Sequence, residues 1–225
     1  MSGRFINHVL FIAAWKGVNI YGVHPQSVNK PSPLQIWTLC VCVTHSLHPT
    51  HNGLLFCTQL CVGFFALMWL GELIWPDDTE LWDPQKLTPH SSIVLGDTTF
   101  KNFLPGHKAD RFFKGNTIIL CSNPFVCNPL AWDHNYLHFC DTLFPLSSAL
   151  WVKNNGTISM RSFFIWHLHQ FFESDTGGQS MHAGGATSFA ENGVAIIQGI
   201  GQWASPAWQI YIHKHPVLLQ AMLHA

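Results

Sequence analysis

A chain of 225 residues, 48% of them hydrophobic, is long enough for one domain with a real core, and its composition excludes a disordered polymer. Charged residues make up only 10%, against a usual share of about 25%. A formal net charge of −1 gives no electrostatic reason to expect a nucleic-acid partner.

In chain order, Phe5 to Trp15 is an apolar, helix-like stretch too short to span a membrane. Pro25 to Pro33 is rich in Pro, Ser, Asn and Gln and reads as a linker. From Ser32 to Gly71 there is no Asp, Glu, Lys or Arg, and Leu54 to Leu70 is apolar apart from Thr58 and Gln59. Hydropathy makes that segment a marginal transmembrane candidate. A buried core helix is the competing reading, and Glu72 with the Trp75-Pro76-Asp77-Asp78 stop fits it as well. Ile93 to Leu95, Thr99 to Leu104 and Thr117 to Leu120 read as strands of a small antiparallel sheet, divided by Gly96-Asp97 and by Pro105 to Lys108. Pro129 to Cys140 and Met160 to Phe172 read as helices. Gly177 to Ser180 opens a helix of small residues, Met181 to Glu191, ended by Asn192-Gly193. Ile196 to Ile200, Pro206 to His213 and Pro216 to Leu223 complete a helical tail. The expected class is mainly α with a small antiparallel β-sheet.

The missing charge has a pattern. Arg4, Arg111 and Arg161 are the only arginines, beside 15 His, 10 Trp and 7 Cys. His, Cys, Trp and Gln are what arginine codons beginning CG become after one C-to-T change on either strand. Repeated deamination at CpG would drain Arg into those four. The cysteines (Cys40, Cys42, Cys57, Cys61, Cys121, Cys127 and Cys140) are odd in number and follow no secretory leader, so no disulfide framework is expected. Their spacing pairs no two CxxC units into a zinc site. His167/His169 and His213/His215 lack a matching second pair, so no metal is expected. Asn155-Gly156-Thr157 is a glycosylation sequon by chance.

The C-terminal third carries a motif series: Gln179-Ser180-Met181-His182-Ala183-Gly184-Gly185-Ala186-Thr187, then Gly201-Gln202-Trp203-Ala204-Ser205, then Tyr211-Ile212-His213. It resembles the signature of tyrosine recombinases, the phage-integrase family of DNA breaking-rejoining enzymes. The similarity is greatest to the Cre-like members of mushroom-forming fungi, with H-S-x-R-x-G-G-A-T, G-R-W-x-S and Y-I-R. Upstream, Trp69 to Leu73 resembles the family's R-L-G-E-L. Leu104 to Arg111 resembles the hairpin that carries its catalytic lysine. The five segments stand in the family's order over about residues 30 to 225. The resemblance implies a catalytic domain over 31–225 and, in 1–30, a remnant of the N-terminal core-binding domain and linker.

In such a site a tyrosine hydroxyl attacks a DNA phosphodiester, leaving a 3′-phosphotyrosine and a free 5′-hydroxyl. Two arginines clamp the non-bridging oxygens, because a planar fork of donors matches phosphate and stays charged. A lysine protonates the leaving oxygen, and a histidine with an indole positions the phosphate. No metal or other cofactor is required. Matched position by position, the resemblance puts Tyr211 at the nucleophile, Lys108 at the general acid and Trp203 at the indole donor. Trp69 and His182 replace the two arginines, and Gln179 replaces the histidine. Gln202 and His213 also stand where arginine is usual. Four of these five replacements are Arg to Trp, His or Gln, the set that CpG deamination produces. Lys108, Arg111 and Lys214 are the expected DNA contacts.

Each residue also has an ordinary alternative: Trp69 as core, Tyr211 as a half-buried tyrosine, His182 as a cap or surface group, Lys108 as a solvated turn residue. The stretch Gly193 to Gln198 is two residues shorter than the family's G-V-x-x-x-I-I-Q, which would rotate the downstream chain by roughly 200° if absorbed in a helix. The expectation is a recombinase or integrase domain by ancestry, nuclear, with DNA as its partner and no small-molecule substrate. Without its arginines it would be catalytically dead. A weak, non-catalytic DNA-binding remnant and a membrane protein built on 54–70 are the alternatives.

Overall fold

A helix that offers no charged residue on any face has no side that prefers water. In the computed structural model, which describes Leu34 and residues 36–45, 50–105 and 115–191, that helix is the axis of the fold. Helix α1 spans Ile36–His45, and α2 spans His51–Phe65. Thr50 caps α2, its hydroxyl accepting from the Gly53 N–H at 3.2 Å. Twelve of the fifteen α2 residues are buried, with Leu55, Cys57, Leu60, Cys61, Val62 and Phe64 fully so. Truncating a leucine here would cost about 2–5 kcal/mol.

Helix α2 ends at Phe65, short of the expected Leu70. Leu67 turns left-handed (φ 52°), and the Met68 N–H reaches back to the Gly63 carbonyl at 2.9 Å. This stop usually uses glycine; a leucine there costs about 1–2 kcal/mol and gives no signal in the sequence. Trp69 therefore does not extend α2 but precedes the four-residue helix α3, Leu70–Leu73. Among the described residues no helix is long and apolar enough to cross a membrane. The 54–70 segment is not a membrane helix: α2 packs against two later helices instead.

Those helices are α4, Pro129–Leu143, capped by the Asn128 side chain, and α6, Gly178–Glu191. Between them lies α5, Arg161–Leu168, whose expected extension to Phe172 tightens into turns as Phe171 and Phe172 both bond the Leu168 carbonyl. The sheet has the order β1 (Val94–Leu95), β2 (Thr99–Leu104), β3 (Asn116–Cys121), all antiparallel, with Phe100 opposite Leu120 and Leu104 opposite Asn116. Alternation sets its inner face: Phe100, Asn102, Leu104, Ile118 and Leu120 are buried, and the sheet lies against α4.

Buried polar groups tie the later chain to α2 and α4. Gln59 donates from Nε2 to the Leu73 carbonyl (3.1 Å) and accepts from the Ser159 hydroxyl (3.1 Å). Tyr136 donates to the Leu150 carbonyl (2.7 Å) and accepts from the Val152 N–H (2.8 Å). The Phe5–Trp15 stretch, the linker, the 30/31 domain boundary and the tail helices after 191 lie outside the described residues.

Candidate active site

Backbone approaches backbone where α6 meets α2, and small residues make that possible. A Cβ on Gly184 would fall on the Leu34 carbonyl, and one on Gly185 on the Phe64 carbonyl. Leu34 seals the contact, its N–H donating to the Ser180 carbonyl at 2.9 Å. This close approach sets His182 beneath the turn that ends α2.

His182 is fully buried (0% exposed), and its Nδ1 lies 2.7 Å from the Leu67 carbonyl. A carbonyl only accepts, so Nδ1 carries the proton. Its ring stacks on Trp69, with centroids 4.2 Å apart and planes 26° from parallel. Loss of water lowers the His182 pKa to about 4, outweighing backbone hydrogen bonds to Leu67 and Met68 that favour the charged form. At neutral pH the pair is uncharged.

Trp69 is held from the other side. Its N–H donates to Glu72 Oε2 at 2.8 Å, one half of a capping box across α3. The other oxygen, Glu72 Oε1, is buried with no hydrogen-bond partner among the described residues. Burial raises the Glu72 pKa to about 7, against the Trp69 hydrogen bond that lowers it. The sequence assigns Glu72 no role in the site; its only signal is the three-residue spacing from Trp69. A shallow cleft beside α3, lined by Glu72, Trp75, Lys86 and Trp151 among others, includes neither Trp69 nor His182.

Two of the expected site residues therefore meet. Gln179, one turn before His182 on α6, is exposed. Lys108, Arg111, Trp203, Tyr211 and Lys214 lie outside the described residues. Rings stacked at 4.2 Å are in van der Waals contact and leave no room for a phosphate between them. His167 and His169 are occupied structurally, donating to the Phe163 (2.9 Å) and Thr176 (3.1 Å) carbonyls. Among the described residues no group of three or more His, Cys, Asp or Glu could hold a metal ion.

No family model matches the sequence, and no curated protein does. Solved structures do match. The XerH site-specific recombinase bound to palindromic difH substrate, a post-cleavage complex, aligns with a TM-score of 0.62 at 14% identity, over 92% of this chain and 56% of that one. The XerA recombinase aligns at 0.62 and 19% identity, over 96% and 71%. A lambda integrase dimer bound to a COC′ core site aligns at 0.51 and 12%, over 91% and 56%. The chain thus spans little more than half the length of the XerH and lambda integrase chains. At such identities the likeness is one of fold: a mainly helical domain with a three-stranded antiparallel sheet, folded as a tyrosine recombinase catalytic domain.

Proposed function

We propose that this chain descends from a tyrosine recombinase that broke and rejoined DNA, and that it is now catalytically silent. The observation that carries the reading is the stack of Trp69 on a buried, neutral His182. By the resemblance these positions held the two phosphate-clamping arginines. An arginine clamp in phosphoryl transfer is worth about 10³–10⁵ in rate, and two uncharged rings in contact cannot replace it. Tyr211 as nucleophile, Lys108 as general acid, and Trp203 and Gln179 as phosphate-positioning groups complete the ancestral site in this reading. The fungal Cre-like lineage, the origin in a mobile element and nuclear residence belong to it too.

DNA remains the partner in this reading, held weakly. Eleven Lys and Arg against twelve Asp and Glu leave little charge to neutralise phosphates through Lys108, Arg111 and Lys214.

A nicked suicide substrate tests the proposal. The unmodified protein should form no covalent DNA adduct, and its DNA binding should be weak, nonspecific and shallow in salt dependence. Trp69→Arg alone should not restore an adduct; Trp69→Arg, Gln179→His and His182→Arg together are the minimum repair. An adduct with the unmodified chain, or nanomolar site-specific binding at physiological salt, overturns the proposal.

A further inference from the structure

The cysteines are all thiols; Cys42 and Cys57 interact within the core, and a second pair, Cys40 and Cys127, reaches toward the surface. Cys40, midway along α1, and Cys127, just before α4, lie with their sulfurs 2.9 Å apart although 87 positions separate them. A disulfide requires about 2.05 Å, so closure asks for a movement of roughly 0.9 Å. Neither backbone is free to drift. Cys40 is held within a helix. Cys127 follows a hydrogen-bonded turn in which the Asn128 side chain accepts from Leu130 and Asn123 and donates to Ser122, while Asn123 Oδ1 accepts from the Phe125 N–H.

The pair is also asymmetric. Cys40 is half-buried and Cys127 fully buried. Nearby on the same core, Cys42, Cys57 and Cys61 are buried beyond the reach of an oxidant in solution. We propose that Cys40 and Cys127 form a peroxide-sensitive thiol pair, with Cys40 as the attacking sulfur and Cys127 as the resolving one.

In the first step the Cys40 thiolate attacks a hydroperoxide. The O–O bond breaks, an S–O bond forms, and a proton taken up by the departing alkoxide or hydroxide gives an alcohol or water. The sulfur loses two electrons and the peroxide gains them. In the second step the Cys127 sulfur displaces the hydroxyl of the Cys40 sulfenic acid. The S–S bond forms, the S–O bond breaks, and the Cys127 proton leaves with the hydroxyl as water. The hydrogen bond from Cys127 supports this division of labour: it lowers the Cys40 pKa to about 7 and, together with burial, raises that of Cys127. The product ties α1 to the start of α4 across α2.

The test uses the full chain, reduced, freed of reductant and treated with one equivalent of hydrogen peroxide, then alkylated and mapped by mass spectrometry. The expected product is an intramolecular Cys40–Cys127 disulfide, reversed by dithiothreitol, with Tm raised by about 10 °C for so long a closed loop. In Cys127→Ser, dimedone should instead label Cys40 as a stranded sulfenic acid. Mapping of the unmodified chain decides even where that variant does not fold. Cys40 recovered as a thiol after peroxide, or paired with any other cysteine, overturns the proposal.

Discussion

Helix α2 meets buried polarity differently along its length. At its C-terminal end, where it joins α3 and α6, buried polar side chains find backbone or side-chain partners: His182 the Leu67 carbonyl, Gln59 the Leu73 carbonyl and the Ser159 hydroxyl, with Glu72 Oε1 an exception among the described residues. Along its flank, where α4 packs with β2 behind it, Asp133 and Asn102 are 1% exposed and none of their side-chain oxygens or nitrogens finds a partner among the described residues. The cause lies in the backbone. A helix end leaves carbonyls unpaired, and a side chain brought there finds an acceptor. A helix flank and a sheet interior have already spent their backbone groups on ladder bonds, so a polar side chain pressed against them is met only where it can share a carbonyl that is already bonded. At the junction loose carbonyls receive His182 and Gln59; on the flank Thr58 reaches the Trp132 carbonyl at 3.1 Å, while Asp133 and Asn102 reach no partner among the described residues.

The sharpest way to break this contrast is to add atoms at the junction. Gly185→Ala should cost about 3 kcal/mol or more, because its Cβ would displace the Phe64 carbonyl. Gly71→Ala, with nothing within 4 Å, should be neutral or stabilising by about 0.5–1 kcal/mol. Urea midpoints for the two variants compare them directly; equal midpoints would remove the close approach from the account.

Next in size is the dependence on pH, where His182 and Asp133 have opposite signs and Glu72, its pKa raised by burial to about 7, sides with Asp133. His182 titrates near 4 in the fold and 6.5 unfolded, so the unfolded chain binds more protons between those values, and stability falls as pH drops from 6.5 toward 4. Burial raises the Asp133 carboxyl well above its ordinary 3.8, so the folded state holds the extra proton and stability falls as pH rises above that value. Asp133→Leu should therefore gain about 2 kcal/mol at pH 7 and progressively less in acid. His182→Gln should flatten the acid limb and leave the other. Thermal unfolding from pH 4 to 9 reads both limbs, and parallel shifts in the two variants would contradict the assignment.

The smallest effect is the coupling of the stacked rings. A double-mutant cycle of Trp69→Leu and His182→Leu should give about 1 kcal/mol of interaction, and a value of zero would mean the two sites do not touch.

The sheet could be read to within a residue because alternation and turn residues are local signals, and β2 runs over Thr99–Leu104 as its pattern predicts. The end of α2 could not, because its stop is a leucine held left-handed by a contact with His182, 115 positions away. The Gly184-Gly185 pair could be quoted as part of a motif, but its physical purpose, room for Leu34 and Phe64, depends on distant backbone. The pairing of Trp69 with His182 was legible only through the resemblance, since neither residue type signals the other. Nothing in the spacing of seven cysteines singled out Cys40 and Cys127, and Asp133 sits unremarked on an ordinary amphipathic helix.

The burial of α2 on every side also orders events in time. Its walls are supplied by α4 and α6, and α6 begins about 110 residues after α2 ends. At a synthesis rate of 5–20 residues per second, α2 waits roughly 6 to 20 s on the ribosome before its last partner has been made. For that interval fifteen residues without a charge stand bare in a growing chain, a binding site for whatever holds nascent polypeptides apart.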